Sequence, residues 1–316
     1  MAGPGNVLAV DVGGTKLAAG LVGPDGRLVT SVQVPTKPSE AGRGEELWAT
    51  LAELLVDLCG GNSPVAVGIG CGGPMRWPEG AVSPLNLPAW RDFPLRARIR
   101  DLFDGVPVRL VNDAIAMAIA EHWRGAGVGS RAFLGVVVST GVGGGLVLDG
   151  RVLTGGSGNA GHIGHAVVDP DGPPCGCGGR GCLEAIARGP ALVEWALAHG
   201  WRGPPGADGR ALRAAATAGD PVARAAFERA GSALGVAIAT AAHLLELDTV
   251  AVGGGLSSAG ELLLDPARRT FAAHVRMGFA SRCAIVPAVL GVDAGLIGAA
   301  ALVIRPDQYW AAEGAD

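Results

Sequence analysis

The sequence predicts an α/β protein built from two similar halves, and three observations carry that expectation. Short β-branched runs alternate with amphipathic or alanine-rich stretches along the whole chain. Two segments, LAVDVGGTKLAAGLVGPDGRL at 8–28 and VVVSTGVGGGLVLDGRVL at 136–153, repeat one pattern of apolar run, glycine turn, apolar run and Asp-Gly turn. In both, the glycines join strand to strand, which separates them from the strand-to-helix fingerprint of dinucleotide-binding folds. A glycine hairpin used twice implies two similar domains facing one another, with backbone N–H groups from both loops able to grip phosphates. In a chain with 53 glycines, two unrelated hairpins are the competing reading.

The first hairpin turns at Asp25-Gly26, a strong hairpin signal. Residues 44–60 then carry apolar positions at helical spacing, and VAVGIGCGGP (65–74) reads as a strand ending in a loop. VRLVND (108–113) is a strand leading into the helix AIAMAIAEHW. The second hairpin turns at Asp149-Gly150, and a segment rich in cysteine and histidine follows. An alanine-rich helical region covers 184–247, interrupted by GPPGADG at 203–209. TVAVGGGL (249–256) is a strand running into a third glycine turn, AIVPAV (284–289) a last strand, and DAGLIGAAALV (293–303) a last helix.

At 316 residues the chain has room for two ordinary domains, and 49% hydrophobic against 17% charged residues indicates a well-buried protein. A net charge of -4 with no basic stripe argues against a nucleic-acid partner. Apolar stretches are broken by Gly, Asp or His before membrane-spanning length, and MAGPGNVLAVDVGG has no signal core, so a cytoplasmic protein is expected. Cys59, Cys71 and Cys283 stand apart in apolar surroundings and read as ordinary buried thiols. Cys175, Cys177 and Cys182 are grouped, which in a reducing compartment reads as metal before disulfide.

Four groups of residues could carry chemistry. In DVGGTK, Gly13 and Gly14 let backbone approach a polyphosphate, Thr15 and Lys16 can donate to its oxygens, and Asp11 offers Mg²⁺ a hard oxygen. A tight turn with Asp as a local cap is the alternative. STGVGGG repeats the phosphate pattern through Thr140, Gly141, Gly143 and Gly144, and Gly254-Gly255 form a third turn able either to admit adenine or ribose or simply to connect strand to helix. Asn112-Asp113 ends a strand, where Asp113 is placed either to take a proton from an attacking hydroxyl or to serve the helix start. Finally, Cys175, Cys177 and Cys182 with His165 supply three sulfurs and one nitrogen for tetrahedral Zn²⁺. Four protein ligands close such a site, so the zinc is expected to be structural; His162 is left over.

DVGGTK, LNLPAW, VND, STGVGGG, GHIGHAVVDPDGPPCGCGGRGCLE and VAVGGGL occur in the order found in the ROK family of sugar kinases and repressors, and the chain resembles that family over nearly its whole length. The resemblance implies an actin-like or hexokinase-like ATPase fold of two α/β lobes with sugar and ATP meeting in the central cleft. The N-terminal lobe would be 1–113, completed by a C-terminal helix at 293–316, and the C-terminal lobe 114–292 would carry the zinc loop. It implies an ATP-dependent kinase acting on the 6-hydroxyl of a glucose-like hexose, with Mg²⁺ and structural Zn²⁺, in a homodimer or homotetramer. Asp113 is implied as catalytic base; Asn86, Asn112 and Glu184 as sugar contacts; and His165 as both zinc ligand and sugar contact. Gly72 and Gly73 would let the GCGGP loop close over the ring.

One position departs from the glucose-type pattern, which has Glu where this chain has His162. A neutral imidazole offers one donor and one acceptor and cannot accept from two hydroxyls as a carboxylate does. GHIGH also resembles bacterial N-acetylmannosamine kinases, PLNLPAWRDFPL the glucokinase branch, and some members of that branch act on glucose-like cyclitols. The rival class is a sugar-sensing repressor, which adds an N-terminal winged helix-turn-helix. Seven residues precede Leu8 and DVGGTK is intact, so the kinase is expected.

Overall fold

The computed structural model describes residues 5–36 and 43–310. Its first sheet begins with a meander of β1 (Val7–Val12), β2 (Lys16–Val22) and β3 (Leu28–Pro35). After helix α1 (Gly44–Cys59) comes β4 (Val67–Cys71), then a small ribbon of β5 (Met75–Arg76) and β6 (Ala81–Val82). Helix α2 (Leu95–Leu102), β7 (Val108–Asn112) and helix α3 (Asp113–Arg124) follow. The strand order is β3-β2-β1-β4-β7, antiparallel through the meander and parallel from β1 to β7.

The second sheet repeats this plan with β8 (Ala132–Val138), β9 (Val142–Leu148), β10 (Arg151–Leu153), β11 (Thr249–Gly253) and β12 (Ala284–Pro287). Its order is β10-β9-β8-β11-β12, with β8, β11 and β12 parallel. Numbered within each half, both sheets read 3-2-1-4-5, so the repeat seen in the sequence is a repeat of topology. The two hairpin turns differ in detail. Asp149 and Gly150 take φ of +47° and +75°, the two-residue turn that matches strand twist, while Gly23–Arg27 form a longer loop closed by Gly23 N–H donating to Arg27 O.

Between β10 and β11 lie α4 (Leu183–Ala187), α5 (Gly189–Ala198), α6 (Gly209–Thr217) and α7 (Pro221–Leu245). Asp208 and Asp220 cap α6 and α7, each accepting two backbone N–H bonds in the first turn. Helix α8 (Glu261–His274) precedes β12, and α9 (Ala294–Ile304) with the short α10 (Pro306–Tyr309) ends the described chain. The last residues of the expected helix 293–316, from 311 onward, lie outside the described residues. No helix among the described residues is long and apolar enough to cross a membrane.

The chain divides into two compact units. One holds the described residues up to Val128, Gly145–Gly161, and those from Val292; the other holds Gly129–Gly144 and His162–Gly291. In the first unit β1 and β4 are apolar on both faces because both are covered: a core with α1 and α2 on one side, α9 on the other. That second layer needs small residues. A Cβ at Gly68 would stand 1.8 Å from the Ala299 carbonyl oxygen, and one at Gly298 1.7 Å from that of Ala116. Backbone therefore touches backbone between α9, β4 and α3. Gly298→Ala is expected to lower unfolding free energy by about 3 kcal/mol through overpacking, whereas Gly278→Ala, with nothing within 4 Å of the added carbon, should change it by less than about 0.5 kcal/mol. Denaturant melts of the two variants decide this; equal stability would refute the packing argument.

Candidate active site

The parallel strands of the first sheet end together, so their C-terminal residues share one edge, where open α/β sheets bind ligands. In register, Asp11 pairs with Gly70 and Cys71 with Asn112. Gly70 puts no side chain between the acids: its Cβ would lie 3.9 Å from Asp11 Oδ1 and 3.7 Å from the Asp113 α-carbon. Gly295, at the start of α9, leaves similar room, since a Cβ there would stand 2.8 Å from Asp11 Oδ2. Burial pushes the Asp11 carboxyl up and the charge of Lys16 partly offsets it. Asp113 is raised to about 6, first by burial and then by the Asp11 carboxylate, while backbone N–H bonds pull the other way. The buried Cys71 thiol is held far above its usual range by its own burial and then by both acids.

The cap reading of Asn112-Asp113 falls to the first of the two residues. Asn112, 2% exposed, is the cap of α3, its Oδ1 accepting from Ala114 N–H at 3.0 Å. Asp113 Oδ1 accepts from the same N–H at 2.9 Å, and Oδ2 is directed at Gly72, 3.9 Å from where a Cβ would stand. The cap is thus supplied by the neighbour and one oxygen of Asp113 is not used by the helix. Around this pair, Gly73 lies 3.1 Å (from its Cβ position) from Asn112 Nδ2, and Gly14 lies 2.5 Å from Asn86 Cβ. Gly13 N–H donates to Lys16 O, closing the DVGGTK turn; Thr15 is exposed at its tip.

Sequence reasoning missed Asn159. Its Nδ2 donates to Ser157 O at 2.8 Å, which fixes the amide's orientation. Its Oδ1 is buried without a partner and stands 4.0 Å from the Gly73 Cβ position, on the same glycine as Asn112. The only available signal was an amide inside the glycine run TGGSGNAG.

The second unit gathers the remaining candidates. Ser139 N–H donates to Gly141 O, forming the turn that carries Thr140, Gly141, Gly143 and Gly144. The third glycine turn abuts it: Gly254, at φ +93°, would place a Cβ 2.5 Å from Val138 O, and Leu256 N–H donates to that same oxygen. Glu184, at the start of α4, accepts from Val142 N–H at 2.9 Å. His162 and His165 stack with centroids 5.7 Å apart. Burial is the main cause that lowers the His162 pKa, with His165 adding to it and Glu184 opposing, and its Nδ1 is buried without a partner.

The ligand atoms of His165, Cys175, Cys177 and Cys182 all lie within 4.8 Å of one another. Cys177 Sγ and Cys182 Sγ are 3.8 Å apart, as are Cys175 Sγ and His165 Nδ1. Tetrahedral Zn–S bonds of about 2.3 Å give edges of about 3.8 Å, so the donor set fits a metal of that size. Gly181 closes the loop at φ +67°, where a Cβ would collide with Asp169 O at 1.6 Å.

Two sheets of one strand order, each opening on a glycine hairpin, with an acid pair at the strand ends of the first, define an actin-like ATPase fold of the hexokinase type. The chain belongs to the ROK family, whose sequence model matches residues 7–306. It is 36% identical over 311 residues to a glucokinase of Thermotoga maritima, covering 94% of this chain and 96% of that one. It is 39% identical over 306 residues to an N-acetylmannosamine kinase of Citrobacter koseri, covering 94% and 98%. The fold superposes with a TM-score of 0.80, at 36% identity and 94% and 99% coverage, on a ROK family glucokinase from Streptomyces griseus in complex with glucose and AMPPNP.

The raised pKa of Asp113 has a stability consequence. Between the ordinary carboxylate value of 3.8 and about 6 the folded state binds this proton more tightly than the unfolded one. The contribution to stability is therefore full below about 4 and lost as pH rises through 6. Asp113→Asn is expected to be at least as stable as the native protein at pH 8, with that advantage vanishing by about pH 3.5, below the ordinary carboxylate value. Parallel denaturant melts at the two pH values test it; an advantage independent of pH would mean that Asp113 is not destabilised by its surroundings.

Proposed function

We propose that this protein is an ATP-dependent hexose kinase that transfers the γ-phosphoryl group to the primary 6-hydroxyl of a glucose-like hexose. The observation that carries the reading is Asp113: a carboxylate at a strand end, raised to about 6, with one oxygen not engaged by its own helix. A base of that strength accepts a hydroxyl proton at neutral pH as the oxygen attacks phosphorus. Asn112 and Asn86 serve as hydroxyl partners, fixed by the α3 cap and by contact with Gly14. The glycine turns offer backbone N–H groups to the polyphosphate, and Lys16 adds charge. Kinship with glucokinases at 36% identity over most of both chains supports the hexose as substrate class.

Mg²⁺ suits Asp11, whose carboxylate oxygens are hard donors and whose repulsion with Asp113 a cation relieves; when bound, it neutralises phosphate charge. Zn²⁺ suits the Cys₃His set of His165, Cys175, Cys177 and Cys182, and supplies fold rather than reaction because protein fills all four positions. Asp113→Asn should lower kcat by about 100-fold or more while sugar affinity changes little. The native kcat/KM should fall below about pH 6 as the base takes up its proton. ADP release coupled to glucose gives both numbers; near-native turnover in the variant would overturn the assignment of the base.

His162 favours a second substrate, N-acetylmannosamine. Its pKa is held down, so the ring is neutral near pH 7, and neither Nδ1 nor Nε2 can match a carboxylate accepting from two vicinal hydroxyls. His162→Glu is expected to shift the ratio of kcat/KM for glucose over N-acetylmannosamine upward by about 10-fold or more, the worth of a hydrogen bond to a charged acceptor. An unchanged ratio would leave His162 as a packing residue beside the metal loop.

A further inference from the structure

The loop at 139–145 makes three close backbone contacts with the segment that carries the metal ligands. Val142, 4% exposed, donates its N–H to Glu184 Oε2 at 2.9 Å. Its carbonyl oxygen lies against the α-carbon of Gly164, where a Cβ would be 2.0 Å away. Ser139 O accepts from Gly189 N–H at 2.8 Å. Gly164 immediately precedes His165, Glu184 stands two residues after Cys182, and Gly189 begins α5 directly beyond α4. These three supports belong to one stretch, 164–189, whose fold the Cys₃His cluster closes.

The carboxylate itself needs a reason. A negative charge beside a loop that receives polyphosphate repels the ligand, and a Cβ at Gly141 would stand only 2.9 Å from Glu184 Oε2. That oxygen is already committed to a backbone N–H, a charge-assisted bond of the strong kind. Bare glycine N–H groups bind anions well only when the loop is ordered before the ligand arrives. We infer that Glu184 is a positioning residue of the nucleotide loop: by holding Val142 N–H it transmits the order of the metal-bearing segment to residues 139–145, so that nucleotide affinity depends on the metal cluster. The inference rests on the reading of 139–145 as a nucleotide loop, and it assigns Glu184 a task besides the sugar contact that the family resemblance implies.

The test uses the full, metal-loaded chain without sugar, so that any sugar contact drops out. ADP is titrated calorimetrically into the native protein, Glu184→Ala and Glu184→Gln. Amide hydrogen exchange is followed over 139–145 in all three and in the native protein after chelation. Glu184→Ala should bind ADP about 10-fold more weakly, with faster exchange at Val142 and its neighbours. Glu184→Gln keeps an oxygen that can accept from Val142 and removes the repulsion, so its ADP affinity should equal or exceed the native value. Chelation should speed exchange over the same residues. Native exchange in Glu184→Ala, or after chelation, would overturn the inference. A native protein that binds no ADP while its exchange responds as described would instead overturn the nucleotide reading of the loop.

Discussion

The repulsion between two carboxylates at the ends of β1 and β7, with β4 between them, is the constraint on which the rest of the first unit depends. Asp11 and Asp113 face one another across Gly70, and burial weakens the solvent screening that would otherwise quiet them. Left to relax, such a pair moves apart or takes up water. Movement apart is opposed here, because the strands that carry it are bonded in register and covered on both faces. The backbone contacts of α9 with β4 and α3 are as close as glycine and alanine permit, which leaves little room for the strand ends to splay. Burial first, and this repulsion after it, raises the affinity of Asp113 for a proton. A general base gains from that, and a purely structural acid would not.

The fold was legible in the sequence because its signals are local. β-branched runs broken by glycine and Asp-Gly turns place β1, β2, β8 and β9 without reference to the rest of the chain. The repeated hairpin pointed to a repeated sheet, and both sheets do share one strand order. What escaped lacks such signals. Helix α2 is eight residues with arginine at three of them, and α8 carries Pro266 in its interior, which reads as a break rather than a helix. The ribbon β5–β6 is two residues per strand. None of these has enough periodicity to declare itself.

The candidate residues divide in the same way. Cysteine spacing announces a tetrahedral cluster, since few other arrangements explain three thiols within eight residues beside a histidine, and the geometry has the edges of such a tetrahedron. Asn159 could not be found this way. An asparagine in a glycine run is an ordinary turn residue, and only the structure shows its carbonyl oxygen buried, without a partner and beside Gly73. The double role of Asn112-Asp113 was likewise undecidable from two letters. The structure shows which side chain bonds the helix with its whole acceptor and which keeps an oxygen over.

Repetition of topology has not meant repetition of chemistry. Each sheet opens on a glycine turn at the same place in its strand order, yet the first turn is preceded by an acid and followed by a lysine, while the second carries Ser139 and Thr140. The difference follows from what surrounds each. Asp11 has Lys16 as a counter-charge and a second acid next to it, a setting that suits a divalent cation. The 139–145 turn instead has the Glu184 carboxylate bound to its own backbone, so a further acid there would add repulsion without a counter-charge. A neutral hydroxyl and bare N–H groups are what that position can hold while still attracting an anion. On the proposed function the same hairpin serves two tasks, set by the charge of the groups packed behind it.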